Sequence, residues 1–261
     1  MRKLLEEAII ASLNGGVEIL EVYAKDFTVE VKSDESPLTQ ADTNAHLAIE
    51  KVLLETNLPI LSEEGRNIAF DERKNWKRFW MVDPLDGTKE FVKRNGEFTV
   101  NVALIENGVS ILGVIYVPVS KELYFAAQGI GSFKVNNVIA FTSLDELIAS
   151  ANSLPVKNDS DEVLIVASRS HLSKETEDFI NEQKKVYDNV NTLSKGSSLK
   201  LCMVAEGRAK YYPRYAPTME WDTAAGQAIC ELAGFEVVQY GTDIPVVYNK
   251  ENLLNPWFLV R

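Results

Sequence analysis

Trp80-Met81-Val82-Asp83-Pro84-Leu85-Asp86-Gly87-Thr88-Lys89-Glu90-Phe91 is the stretch on which the reading of this chain turns. An apolar run of strand character delivers two carboxylates, three residues apart, into a turn that carries a glycine and a hydroxyl. Pro84 fixes φ, and Gly87 lets the backbone approach a ligand closely. Carboxylates this close repel one another and are most stable with a divalent cation between them. A helix starting after Gly87 would aim its free N–H groups and dipole at the same point, where they favour an anion. Metal and phosphate can therefore meet at one turn, although Asp-Pro and Asp-Gly alone also make ordinary loops.

Other acids lie where they could join this turn. Ser62-Glu63-Glu64-Gly65 follows the short apolar run Leu58 to Leu61, placing two acids at a strand end. Asp222, in Glu220-Trp221-Asp222-Thr223-Ala224-Ala225-Gly226, opens an Ala-rich helical stretch much later in the chain. Each has a plainer reading, Glu63 or Glu64 as a solvated loop acid and Asp222 as a first-turn acid complementing the helix dipole. Together they amount to an all-oxygen site suited to a hard cation.

Asp-Pro-Leu-Asp-Gly-Thr-Lys-Glu-Phe, the preceding Leu-Ser-Glu-Glu and the later Trp-Asp-Thr-Ala-Ala-Gly resemble the lithium-sensitive, magnesium-dependent phosphatase superfamily that includes inositol monophosphatase. Within it the chain most resembles the 3′(2′),5′-bisphosphate nucleotidases of the CysQ type. Ser36 to Asp42, Ser168-Arg169-Ser170-His171, and Gly196-Ser197-Ser198-Leu199-Lys200 leading to Tyr212-Pro213-Arg214 point to that branch. The motifs keep the family's order from about residue 34 to the end.

The resemblance implies roles. Glu63, Asp83, Asp86 and Asp222, with the Leu85 carbonyl, would hold two or three Mg2+ ions, Asp83 bridging two of them and Glu64 orienting Glu63 or a metal-bound water. Such a pair stabilises the attacking and leaving oxygens of an in-line displacement. Asp42 would accept the hydrogen bond of Thr88, which orients the attacking water; read locally, Thr39-x-x-Asp42 is also a helix capping box, and Thr88 a helix N-cap. The Gly87 and Thr88 N–H groups would cradle the departing phosphate. Ser168, Arg169, His171, Ser197, Lys200 and Arg214 would take a second phosphate and a nucleoside, with Tyr212 against sugar or base. Ion pairs for Arg169 and Arg214, a solvated helix face for Lys200 and a structural role for His171 are the rival readings, and Asp34 is another acid near the pocket or a solvated loop residue.

The activity so implied is removal of the 3′-phosphate from adenosine 3′,5′-bisphosphate, releasing AMP, with the 3′-phosphorylated sulfonucleotide as a further substrate whose rank stays open. This would recycle a by-product of sulfate activation and sulfotransfer. An inositol or sugar monophosphatase is the nearest alternative, and a non-catalytic phospholigand sensor a third. Lithium would displace one magnesium ion.

The remaining features agree with an ordinary soluble enzyme. The chain has 261 residues, 46% of them hydrophobic, enough for one large domain or two closely packed ones. A formal charge of −11 argues against a nucleic acid polymer as partner and requires cations and local basic groups to receive a small bisphosphate. Glu6 and Glu7 interrupt any signal-peptide core, and the apolar run Ile111 to Val119 is too short to span a bilayer, so a cytoplasmic monomer or homodimer is expected. Cys202 and Cys230 lie in apolar helical patterns and read as buried free thiols.

Periodicity predicts helices from Lys3 to Tyr23 and from Thr39 to about Glu55, with a strand at Phe27 to Val31 between them. A meander of strands follows: Phe98 to Ile105, Val109 to Val117, Leu123 to Ala126 and Ser132 to Val135, with Asn107-Gly108 as a hairpin turn. After the polar segment Ser150 to Asp161 the pattern becomes strand (Val163 to Ala167), helix (Lys174 to Lys184) and strand (Val186 to Val190). The halves are 1–150, with most candidate metal ligands, and 151–261, with the substrate residues and Asp222. The resemblance implies an α+β or α/β fold in a layered α-β-α-β-α sandwich, the site lying between the halves.

Overall fold

The computed structural model describes residues 1–31, 37–157, 161–167 and 173–261. Helix α1 (Arg2–Tyr23) leads to a small hairpin of β1 (Val29–Val31) and β2 (Pro37–Thr39), and Thr39 caps α2 (Gln40–Leu53), which ends in a 3₁₀ turn at Leu54–Thr56. Then come β3 (Ile60–Ser62), the one-turn α3 (Phe70–Arg73), β4 (Arg78–Asp86) and the short α4 (Thr88–Val92). The meander is β5 (Thr99–Glu106), β6 (Val109–Val117), β7 (Glu122–Ala127) and β8 (Gly131–Val135), followed by α5 (Leu144–Ser150) and β9 (Asn152–Ser153). These strands make one seven-stranded sheet in the order β3-β4-β5-β6-β7-β8-β9, parallel at β3/β4 and antiparallel elsewhere. Asn107 and Gly108 both take positive φ, 51° and 80°, in the β5–β6 hairpin, as a primed two-residue turn requires.

The second half supplies β10 (Val163–Ala167), α6 (Lys174–Val186), β11 (Val190–Ser194), α7 (Leu199–Ala205), β12 (Tyr212–Arg214), α8 (Glu220–Leu232), β13 (Val237–Gln239) and β14 (Phe258–Val260). Here β10 and β11 pair in parallel, β12-β14-β13 form a three-stranded sheet, and a bridge from Ile165 to Tyr211 joins the two sets. The strand expected over Val186 to Val190 is not formed there. α6 runs on through Val186, with Lys184 and Lys185 favourably placed in its last turn, and the strand begins at Val190.

The large sheet is buried on both faces because its alternating residues feed two cores. Val100, Val102 and Leu104 of β5 pack with α1 and α2, whereas Ala103 and Ile105 pack toward α7 and α8. Behind α7 and α8 lie the smaller sheets, and α6 covers β10 through Ile180. The order of layers is therefore α-β-α-β-α, as expected. Cys202 and Cys230 are buried free thiols. Among the described residues no helix is long and apolar enough to cross a membrane.

Helix α8 crosses the sheet at Gly113, where an added Cβ would stand 2.1 Å from the carbonyl oxygen of Ala225. Backbone cannot yield as a flexible side chain does. Gly113→Ala is thus expected to cost roughly 2 kcal/mol or more and to lower the melting temperature by about 5 °C in a thermal scan.

Candidate active site

The spacing of Asp83 and Asp86 is resolved by a bulge. Residues three apart on a regular strand point to opposite faces. In β4, however, Asp83 pairs with Asn101 and Asp86 with Thr99, so three steps on one strand oppose two on the other. The extra residue flips the phase and turns both carboxylates to one face, and Pro84, which has no N–H to donate, sits within the bulge. Gly87 follows with φ of 93°, and α4 starts at Thr88.

Glu63, just past β3, and Asp222, in the first turn of α8, complete the cluster. Glu63, Asp83 and Asp222 offer carboxylate oxygens that all lie within 4.8 Å of one another. The Asp83 side chain is buried, and burial, then the charges of Glu63, Asp86 and Asp222, push its carboxyl well above the usual range. Burial first and Asp86 next raise Asp222 to about 8. The aspartates are also held so as to leave an oxygen for a ligand. Asp83 Oδ1 accepts from the Leu85 N–H (3.1 Å), and Asp222 Oδ2 from the Met219 N–H (2.9 Å). Asp86 Oδ2 accepts from Ser197 Oγ (2.6 Å), Ser198 Oγ (2.7 Å) and Asn101 Nδ2 (3.3 Å). Crowded, desolvated hard-oxygen donors fit a divalent cation, which would relieve the repulsion that raises these pKa values.

Asp42 satisfies both of its expected readings, one with each oxygen. Its Oδ2 accepts from the backbone N–H (2.8 Å) and hydroxyl (2.7 Å) of Thr39, closing the capping box of α2. Its Oδ1 accepts from Thr88 Oγ1 at 3.0 Å. Burial raises the Asp42 carboxyl, the Thr39 bonds offset part of that, and the charge of Glu64 adds to it. Thr88 is the first residue of α4 rather than its cap, a place taken by Gly87, and its hydroxyl also lies 3.4 Å from the Leu85 carbonyl.

A cleft of about 310 Å³ runs from this cluster to Lys195, Gly196, Ser197, Lys200, Tyr212 and Arg214. Lys200 is not on a solvated face. Its ammonium is buried and donates to the carbonyls of Lys195 (3.2 Å) and Ser197 (2.5 Å), and burial lowers its pKa to about 8. Arg214 donates to the Pro217 carbonyl at 2.9 Å, while its buried Nε has no partner among the described residues. Tyr212 is itself buried, with Lys200 Nζ 5.7 Å from its ring centre. Ser168, Arg169, His171 and Asp34 lie outside the described residues.

The family model of the inositol monophosphatase family matches residues 1–256. This chain belongs to the inositol monophosphatase family. It is 43% identical over 261 residues to the 3′(2′),5′-bisphosphate nucleotidase CysQ of Salmonella typhimurium, covering 98% of this chain and 99% of that protein. The crystal structure of CysQ from Bacteroides thetaiotaomicron, a bacterial member of the same family, superposes with a TM-score of 0.93 at 50% identity, covering 100% of this chain and 97% of that one. An inositol monophosphatase from Zymomonas mobilis, 19% identical with a TM-score of 0.72, shares the fold, with 99% of this chain and 92% of that one covered.

Three residues in this inositol monophosphatase fold escape motif reading: Glu97, Thr99 and Asn101. The Glu97 carboxylate accepts from Gly196 N (2.9 Å) and Lys195 Nζ (3.1 Å). Thr99 Oγ1 lies 2.6 Å from Ser197 Oγ, and Asn101 Nδ2 donates to Ser198 Oγ at 2.9 Å. A signal was present: polar residues at alternate positions entering an otherwise apolar strand mark a buried polar edge.

Proposed function

We propose that this phosphatase removes the 3′-phosphate of adenosine 3′,5′-bisphosphate to give AMP and inorganic phosphate, using Mg2+ held by Glu63, Asp83, Asp86, Asp222 and the Leu85 carbonyl. The observation that carries the reading is the convergence of Glu63, Asp83 and Asp222 beside the Asp42–Thr88 pair. Two or three divalent ions at such a site would neutralise charge on the phosphate and on the attacking and leaving oxygens. Because Thr88 donates to Asp42, a lone pair of its oxygen is free to accept from a water and aim it at phosphorus. As the oxygen–phosphorus bond forms, the water's proton moves to Thr88 and that of Thr88 to Asp42, while the bond to the ribose 3′-oxygen breaks, that oxygen takes up a proton from solvent, and Asp42 afterwards returns its proton to solvent. The backbone N–H groups of Gly87 and Thr88 are suited to the transferred phosphoryl oxygens.

Substrate choice falls to the other end of the cleft. Arg214, whose Nε has no partner among the described residues, and Lys200 supply positive charge suited to a second phosphate, which inositol 1-phosphate does not have. The strong likeness to proteins named bisphosphate nucleotidase supports the same branch. Recycling of the by-product of sulfate activation and sulfotransfer is the role that follows.

The test compares phosphate release from adenosine 3′,5′-bisphosphate and inositol 1-phosphate, with Mg2+ and with chelator. A preference of at least about a hundredfold for the bisphosphate is expected, from loss of one or two charge-assisted contacts in the smaller substrate. Chelator is expected to abolish it, and lithium added at limiting Mg2+ to slow it. Preference for inositol 1-phosphate overturns the substrate assignment, and turnover of neither favours a phospholigand sensor.

A further inference from the structure

Glu97, Thr99 and Asn101 occupy every second position at the entry to β5, on the side of the sheet that faces α7 and α8. Each meets the segment that carries Lys195 to Ser198. Glu97 holds Gly196 and Lys195; Thr99 reaches Ser197; Asn101 reaches Ser198 and, at 3.3 Å, Asp86. The packing leaves no slack, since a Cβ on Gly196 would stand 2.7 Å from the Glu97 carbonyl oxygen. Ser198 Oγ also lies 2.9 Å from the carbonyl oxygen of Asp222. One hydroxyl thus touches the segments of two candidate cation ligands.

The protons available to this network are few, which makes its arrangement specific. With Ser197 donating to Asp86 Oδ2, the Thr99 proton bridges the short Thr99–Ser197 contact; were it given instead to Asn101 Oδ1, 2.8 Å away, Ser197 would have to donate to Thr99 and release Asp86. The Asn101 amide cannot turn over without pointing its oxygen at the acceptor oxygen of Asp86 and at Ser198, which must then reorient. All three donors to Asp86 fall on Oδ2, leaving Oδ1 for a ligand.

We propose that Glu97, Thr99 and Asn101 form a positioning rail that fixes the 195–198 segment against Asp86 and so sets the affinity of this carboxylate cluster for a divalent cation. The inference rests on the cation reading given above. These are positioning residues: they act through Ser197, Ser198 and Asp86. Partners that orient ligating carboxylates commonly change metal affinity about 10- to 100-fold when removed.

The decisive measurement is Mg2+ binding by titration calorimetry on the full chain, alongside melting in chelator. Wild type, Thr99→Val, Asn101→Leu and the control Asp222→Asn are compared. Thr99→Val is close to isosteric and keeps the test open where Asn101→Leu fails to fold. The expected result is Mg2+ affinity weakened at least about threefold in Thr99→Val and about tenfold or more in Asn101→Leu, with the chelator melting point of Thr99→Val within a few degrees of wild type. Affinity in Thr99→Val equal to wild type overturns the rail, as does loss of affinity only in step with loss of folded protein in chelator. Absence of Mg2+ binding by wild type overturns the cation reading itself, and the rail with it. Binding by wild type that is lost in Asp222→Asn but unchanged in Thr99→Val leaves the cation reading standing and removes the rail alone.

Discussion

Asp83→Asn is expected to lower Mg2+-dependent phosphate release at least about a thousandfold, since on the proposed reading it would remove a central cation ligand and several kcal/mol of charge stabilisation. The same change is expected to raise the melting temperature in chelator by about 5 °C. Both effects have one cause. Asp83 is buried among Glu63, Asp86 and Asp222, and its carboxyl is pushed up by burial first and by those charges next. An asparagine keeps the oxygen that accepts the Leu85 N–H and removes the carboxyl whose ionisation burial and its neighbours oppose.

The sign in pH follows from linkage. A carboxyl whose folded pKa lies above its unfolded value costs stability once the unfolded chain ionises, and that cost grows as pH rises toward the folded pKa. In chelator, the stability gap between variant and wild type should therefore shrink as pH falls toward about 4 and close below it, where Asp83 becomes protonated in the unfolded chain as well. In Mg2+ the order is expected to reverse, because wild type gains binding free energy that the variant has lost. Melting curves in chelator and in Mg2+ at two pH values check this. A variant less stable than wild type in chelator, or still active, contradicts the assignment.

How far the molecule was readable differs from one feature to the next, and the reasons are physical. The β5–β6 hairpin was legible because Asn107-Gly108 specifies its turn locally, and α2 because Thr39 and Asp42 cap it within four residues. Strand β11 was not legible: Asn191 and Thr192 are exposed and Ser194 is polar, so it offers no alternation of apolar and polar residues, whereas Val186 and Tyr187 imitate one. The bulge in β4 was invisible for a different reason. Period-two reading places Asp83 and Asp86 on opposite faces, and only pairing with β5 reveals the extra residue. Asp222 joins Glu63 and Asp83 because α8 crosses the sheet where Gly113 admits Ala225, a contact between residues far apart in the chain. Motif resemblance could anticipate that convergence, but periodicity could not. The local readings of Asp42 and Asp222 as helix-start acids were sound as far as they went. Each gives one oxygen to its helix; the other oxygen of Asp42 accepts from Thr88, and Asp222 lines the cleft.

That division of labour separates stability from catalysis at Asp42. Thr88→Val, nearly isosteric, removes the hydroxyl that bonds Asp42 Oδ1 and is expected to lower kcat about 10²- to 10⁴-fold, the usual contribution of a positioned acid–base group. Mg2+ affinity should stay within about twofold of wild type, since the side chain of Thr88 is not among the groups read as ligands. In Asp42→Asn the amide oxygen can keep both Thr39 bonds, which turns the NH2 toward Thr88 Oγ1. The helix remains capped while the proton acceptor is gone, so a similar fall in rate with little loss of stability is expected. Asp42→Ala loses both functions, adding about 1 kcal/mol of destabilisation to the same rate loss. Because Asp42 and Thr88 would act on one proton, the double variant Asp42→Asn/Thr88→Val should be hardly slower than either single one. Rates under saturating Mg2+ and substrate, with melting curves on the same samples, distinguish the cases. An Asp42→Ala protein that melts early yet turns over within a few-fold of wild type would reduce Asp42 to a helix cap and require another acceptor for the proton of Thr88.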